Sequence, residues 1–138
     1  MGCRRPAANA VIARKTMIFC TLFNLSYLPQ GLALYRSLER TRGEDFVLYV
    51  LCMNDMTHGY LHDLDLPNLR IVLLSDIEDE GMLAVKGQRS IGEYCWTCTS
   101  PLVIYVQGLY PEGSVVTYVD ADIAFLADPQ AILDELGE

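Results

Sequence analysis

Val115-Val116-Thr117-Tyr118-Val119-Asp120-Ala121-Asp122-Ile123 runs from β-branched and aromatic residues straight into two carboxylates at i and i+2. The apolar part has the composition of a buried strand, and a buried strand has no use for acids. The pair at its C-terminal end therefore calls for a reason. In an open α/β sheet, ligands bind outside the carboxyl ends of the strands. Two carboxylates placed there can hold a hard divalent cation, and the cation can neutralise phosphate. Asp also favours turns, so the triplet alone is a short motif of low specificity. The chain around it has to decide.

Upstream, Met17 to Phe23 is a short apolar run of strand character, and Asn24 to Pro29 reads as a loop. Gln30 to Arg40 is amphipathic, with Leu32, Leu34, Tyr35 and Leu38 on related faces and Gly43 as its stop. Phe46 to Cys52 is continuously apolar, the pattern of a parallel strand covered on both faces. Asn54 offers a cap for a short helix through Leu61 and Leu64 that ends before Pro67. Leu69 to Leu74 is a third strand. The acidic stretch Ser75 to Gly81 reads as a solvated loop or a helix N-terminus, where acids suit the dipole. A helix is predicted over Trp96 to Gln107, with Pro101 in or near its first turn. Tyr110-Pro111-Glu112-Gly113 is a turn. Asp128-Pro129 caps a last helix, Gln130 to Leu136. The β-α-β-α-β-α-β-α order predicts an α/β domain of three layers, α/β/α, around a mainly parallel sheet.

The chain has 138 residues, enough for one domain with a real core, and 51% of them are apolar. The formal net charge of -8 argues against binding a nucleic-acid backbone. It also means that a polyanionic ligand would need a metal or local basic groups. Five cysteines, an odd number, suit a reducing, cytoplasmic setting without a disulfide framework. Cys95-Trp96-Thr97-Cys98 is a lone C-x-x-C, read as two structural cysteines on a helix. His58 and His62, at i and i+4, lack the further ligands a metal pair needs. No apolar run approaches the roughly 20 residues that span a bilayer. Residues 1 to 15 read as a loose leader, and 16 to 138 as the folded domain.

Three features converge on one sheet edge. The first strand ends in Thr21-Leu22-Phe23-Asn24, Lys86 and Arg89 lie in a glycine-containing segment, and Asp120 and Asp122 end the fourth strand. Together they can make a nucleotide-diphosphate site, with polar groups for the base, cations for phosphate and a carboxylate pair for a metal. Four stretches then carry a resemblance: Phe19 to Asn24, Tyr27 to Leu38, Glu93 to Thr99 and Thr117 to Asp122. Over nearly everything from Met17 to Leu136, the chain resembles the N-terminal, donor-binding half of a GT-A-fold glycosyltransferase, close to the family 8 nucleotide-sugar transferases. The resemblance implies a Rossmann-like fold and a nucleotide-diphosphate sugar donor, a uridine diphosphate sugar foremost. It implies that Thr21 and Phe23 lie at the base pocket and Asp120 near the ribose and the metal, with Asn24 and Ala121 also among the donor-binding residues. Asp120 and Asp122 would hold Mn2+ or Mg2+, and Lys86 or Arg89 would stand near the sugar or phosphate. A divalent metal on the diphosphate would stabilise the charge that grows on the leaving group.

The family continues well past the two aspartates, where it builds the acceptor site and commonly adds a His ligand. This chain has His58 and His62 only, both before the motif, so it reads as a truncated form. No acceptor or catalytic residue can be assigned from it. A truncated sheet would leave apolar surface that favours an oligomer or a partner. Two other readings stay open. One is a non-catalytic nucleotide-binding or partner-binding fragment. The other is a nucleotidyltransferase, although no glycine-rich, basic loop for a triphosphate follows the first strand.

Overall fold

The computed structural model describes residues 15–137; the leader expected up to residue 15 lies, but for its last residue, outside them. Four strands, β1 (Met17–Phe23), β2 (Phe46–Cys52), β3 (Leu69–Leu73) and β4 (Val116–Tyr118), form one sheet in the order β3-β2-β1-β4. All three pairings are parallel. β1 is central: Met17 to Phe23 face Phe46 to Cys52 on one side, and Ile18 to Cys20 face Val116 to Tyr118 on the other. Its seven residues are all buried, which explains why its sequence does not alternate.

Successive side chains of β1 enter opposite layers. Phe19 and Phe23 join Leu34, Tyr35 and Leu38 of α1 (Leu28–Arg42) and Leu61 of α2 (Asp55–Leu64), with Leu133 of α6 (Gln130–Glu135) against them. Ile18, Cys20 and Leu22 join Cys98, Leu102 and Val106 of α5 (Ile91–Gln107) and Met82 of α4 (Glu80–Lys86). The short α3 (Leu74–Ile77) packs Leu74 and Ile77 on that second face. The three-layer α/β/α arrangement is therefore the one that the alternation of elements predicts. No helix among the described residues is long and apolar enough to cross a membrane.

Local chemistry moves some boundaries. α5 begins at Ile91, five residues before the predicted start at Trp96. Ser90 accepts from the Glu93 N–H while the Glu93 carboxylate accepts from the Ser90 N–H, a reciprocal cap that sets the start. Pro101 consequently sits inside the helix rather than in its first turn. β4 is only Val116–Tyr118 and half-buried, because it lies at the sheet edge. The chain leaves it through Val119, whose N–H reaches the Cys20 carbonyl at 2.9 Å. The acids that follow are exposed rather than buried.

Beyond the Asp120-Ala121-Asp122 turn, the chain crosses back over α1 and is tied there. The Ser37 hydroxyl accepts from the Phe125 N–H at 2.9 Å, and Arg40 donates to the Phe125 carbonyl at 2.8 Å. The Phe125 ring meets Phe19, centroids 5.7 Å apart. Arg42 completes the set, with its side chain at 0% exposure and 2.7 Å from the Asp128 carboxylate. It also donates to the carbonyls of Asp45 (2.9 Å) and Lys15 (2.8 Å). Asp128 in turn accepts from the Gln130 N–H at 2.9 Å and so starts α6.

Arg42→Ala is expected to destabilise the fold by about 3 kcal/mol, the low end for a broken buried pair since Asp128 is partly exposed; urea unfolding measures it. At Gly31 an added Cβ would lie 2.3 Å from the Phe23 ring. Gly31→Ala should therefore cost about 1–3 kcal/mol by overpacking, and Phe23→Leu in the same chain should return part of it.

Candidate functional site

The order β3-β2-β1-β4 places a switch in winding direction between β1 and β4, since the connections out of β1 and β2 move one way and the next moves to the other side of β1. A cleft of about 470 Å³ opens at that point. Its walls are the end of β1 with Tyr27, the first half of α5 through Ile91, Cys95, Trp96 and Thr99, and the end of β4. Asp120, Ala121 and Asp122 all line it. The Ile123 N–H closes a turn onto the Asp120 carbonyl at 3.1 Å, which brings both acids round to the cleft.

Among the described residues neither acid has a salt-bridge partner. Asp120 has the Tyr118 hydroxyl beside it. Burial pushes that hydroxyl up to about 12, the Thr99 hydroxyl works against the shift, and the Asp120 carboxylate adds to it. Tyr118 thus stays a neutral donor at every physiological pH. The described residues contain no group of three His, Cys, Asp or Glu able to hold a metal. Two carboxylates alone are an all-oxygen, incomplete donor set. That set fits Mg2+ or Mn2+, which take much of their shell from water and ligand phosphates.

The remaining sequence candidates divide. Asn24 lines the cleft, and its side-chain oxygen accepts from the Ser26 N–H at 3.1 Å, forming the single 3-10 turn Leu25–Tyr27. Phe23 borders the cleft, but its ring is buried against Gly31 of α1. Thr21 does not reach the lining. It is fully buried on the α1 side of β1, and its hydroxyl finds no partner among the described residues. Lys86 and Arg89 line an adjoining hollow of about 310 Å³ that shares Asn24 and Ile91 with the cleft. Lys86 is paired there with Glu78 at 2.7 Å and lies 5.1 Å from the centre of the Tyr94 ring. Arg89 donates to the Thr97 hydroxyl. Tyr27, Ile91, Trp96 and Tyr118 are cleft residues that the sequence reading passed over. Of these, Tyr27, Trp96 and Tyr118 stand within the stretches that carry the family resemblance, which was their signal, and Ile91 had none.

His58 and His62 stack edge to face on α2, ring centres 6.1 Å apart, and do not line the cleft. Cys95 and Cys98 both lie on α5; Cys98 is buried in the core, and Cys95 borders the cleft half-buried. Burial pushes the Cys98 thiol up to about 11, so it is no ready nucleophile.

No protein-family model matches the chain. It is 36% identical over 119 residues to the uncharacterized protein YfnF of Bacillus subtilis (strain 168), a match covering 86% of this chain and 39% of YfnF. Against the uncharacterized protein YfnD of the same organism it is 28% identical over 120 residues, 87% of this chain and 38% of YfnD. The chain thus spans under two fifths of these relatives' length. Among solved structures it is similar to the apo structure of WbbM, a bifunctional glycosyltransferase. That match has a TM-score of 0.52 and 17% identity, covering 93% of this chain and 22% of WbbM. The fold is the Rossmann-like GT-A architecture.

Glu78 links the wall of the adjoining hollow to α5, accepting from Lys86 and from the Tyr94 hydroxyl. Partial burial pushes its carboxyl up, but these two donors outweigh it and hold it below the usual carboxylate range. A folded-state value below the unfolded one stabilises fully above the ordinary Glu pKa of about 4.3, and the gain is lost as pH falls through the folded value. Urea midpoints measured from pH 7 down to pH 3 should therefore fall less steeply for Glu78→Gln than for the unaltered chain.

Proposed function

We propose that this chain is the donor-binding part of a glycosyltransferase close to the family 8 type, and that it binds a nucleotide-diphosphate sugar through Mn2+ or Mg2+ held by Asp120 and Asp122. The observation that carries the reading is the position of those two exposed carboxylates, without a salt-bridge partner among the described residues, in the cleft at the switch point of the sheet. The fold likeness to WbbM, a bifunctional glycosyltransferase, supports it. So does the donor chemistry. An acidic cleft repels a diphosphate unless a cation intervenes, and oxygen donors select a hard one. When bound, that cation would act as a Lewis acid on the departing diphosphate.

The protein's own groups divide the remaining work. Tyr118 lends a neutral hydroxyl beside Asp120. Asn24 and Tyr27 offer polar and aromatic surface for the nucleoside. Lys86 is tethered by Glu78 and so supplies a fixed cation at the neighbouring wall rather than a mobile one. The proposal concerns donor binding. It does not extend to acceptor recognition or transfer, since this chain covers only 39% of YfnF and 38% of YfnD.

Calorimetric titration of UDP with Mn2+, and again with chelator, tests the reading. Binding is expected with the metal and not without it. Asp122→Asn should weaken it by more than about tenfold, since even an outer partner of a metal ligand is worth that much. Unchanged UDP affinity in Asp122→Asn would overturn the metal role of the pair.

A further inference from the structure

Trp96 is 79% exposed although it is the single tryptophan of the chain. One exposed aromatic is unremarkable on any surface. This one, however, is the partition between two concavities. On one side it lines the cleft with Asp120 and Asp122, and on the other it lines a shallow hollow of about 500 Å³ with Gln88, Arg89, Glu93 and Thr97. We propose that Trp96 is a carbohydrate platform: a sugar ring lays its C–H face on the indole in that hollow while its hydroxyls bond to the surrounding polar side chains. The inference rests on the proposed function for its connection to a donor, and on the hollow's own chemistry for the class of ligand.

Charge and donor type select that class. Arg89 and Glu93 carry opposite signs, so the hollow suits neither a phosphate nor a cation. Of its remaining polar groups, the Gln88 amide donates and accepts, and the Thr97 hydroxyl keeps an acceptor lone pair. Mixed donors and acceptors with no net charge match a neutral polyhydroxyl ligand, and an apolar plate beside them matches the C–H face of a pyranose. Three of the groups, Arg89, Glu93 and Thr97, are also held in advance. Glu93 is fixed by its reciprocal bonds to Ser90, at 2.7 Å and 3.2 Å. The Thr97 hydroxyl donates to the Glu93 carbonyl at 2.9 Å and accepts from Arg89. Ordering these side chains on binding therefore costs little. A nucleobase on Trp96 would set the attached diphosphate against Glu93 if it entered from the hollow.

The lone tryptophan makes the test direct, since all indole emission reports this position. The purified chain is titrated with UDP, UDP-glucose and UDP-galactose in Mn2+, and separately with lactose, cellobiose and maltose, while calorimetry tracks occupancy. An emission change with a sugar nucleotide but not with UDP at equal saturation supports the platform and assigns it to the donor's sugar. A change with a free disaccharide supports it and assigns it to an acceptor. Gln88→Ala, which leaves the indole in place, should then weaken the responding ligand about fivefold, the worth of one hydrogen bond. Equal changes with UDP and the sugar nucleotides, with none from the disaccharides, would place the nucleoside on Trp96 and overturn the inference. So would calorimetric binding of UDP with no emission change from any ligand. If UDP fails to bind while a disaccharide still shifts the emission, the donor reading fails and the platform stands. Silence from every ligand in a folded sample removes both.

Discussion

The buried guanidinium of Arg42 joins three parts of the chain that are far apart in sequence. It meets the carbonyl of Lys15 just before β1, the carbonyl of Asp45 just before β2, and the carboxylate of Asp128 at the start of α6. A buried charge is costly unless it is paired and its donors are used, and this arrangement of the segments supplies all three partners at once. The guanidinium therefore favours one conformation strongly over its neighbours. Its consequence reaches the cleft. The Asp120-Ala121-Asp122 turn hangs between the short ladder of β4 and the return across α1, and that return is held by Ser37, Arg40 and Arg42. The acids sit at the surface, yet their backbone is supported at both ends.

That support matters because, among the described residues, no cation pairs with the acids of the cleft. The basic side chains nearest to it are already engaged, Lys86 with Glu78 and Arg89 with the Thr97 hydroxyl. Along α1, Arg36 pairs with Glu39 at 2.6 Å, an exposed pair of small energetic worth. The net charge of -8 adds a negative background to the two acids that line the cleft. Long-range steering therefore works against a free nucleotide and for a divalent cation.

How much of this was legible in the sequence depended on how local the deciding interaction was. β1 and β2 have the limits the apolar runs predict, because a strand covered on both faces stays apolar to its ends. Helix α2 follows its Asn54 cap, whose side chain accepts from the Thr57 N–H at 2.9 Å. The start of α5 was equally local: Ser90 and Glu93 stand in the reciprocal-cap spacing, but Pro101 drew the boundary forward. The length of β4 was not local, because it depends on that strand lying at the edge. For the site, the acids and Asn24 could be found from their position after strands. The depth of Thr21 could not, since period two decides only which face a strand residue enters, and both faces of β1 are covered. Cleft residues from α5 were hidden for a different reason: its first half mixes Ile91, Cys95 and Trp96 with Glu93, Thr97 and Thr99, so only packing distinguishes the side that meets β1 from the side that faces Tyr27.

On the proposed reading, the sparse donor set has a thermodynamic consequence of its own. Two exposed carboxylates hold a hard cation loosely, because most of its shell must stay water. The same carboxylates repel a diphosphate when no cation is present. Each ligand thus supplies what the other lacks: the diphosphate gives the metal further oxygen donors, and the metal removes the repulsion. By linkage, the factor by which metal tightens nucleotide equals the factor by which nucleotide tightens metal. A three-carboxylate cage would hold its cation alone and lose most of that coupling. Release would then be coupled as well, since a diphosphate that leaves takes with it the donors that kept the metal in place.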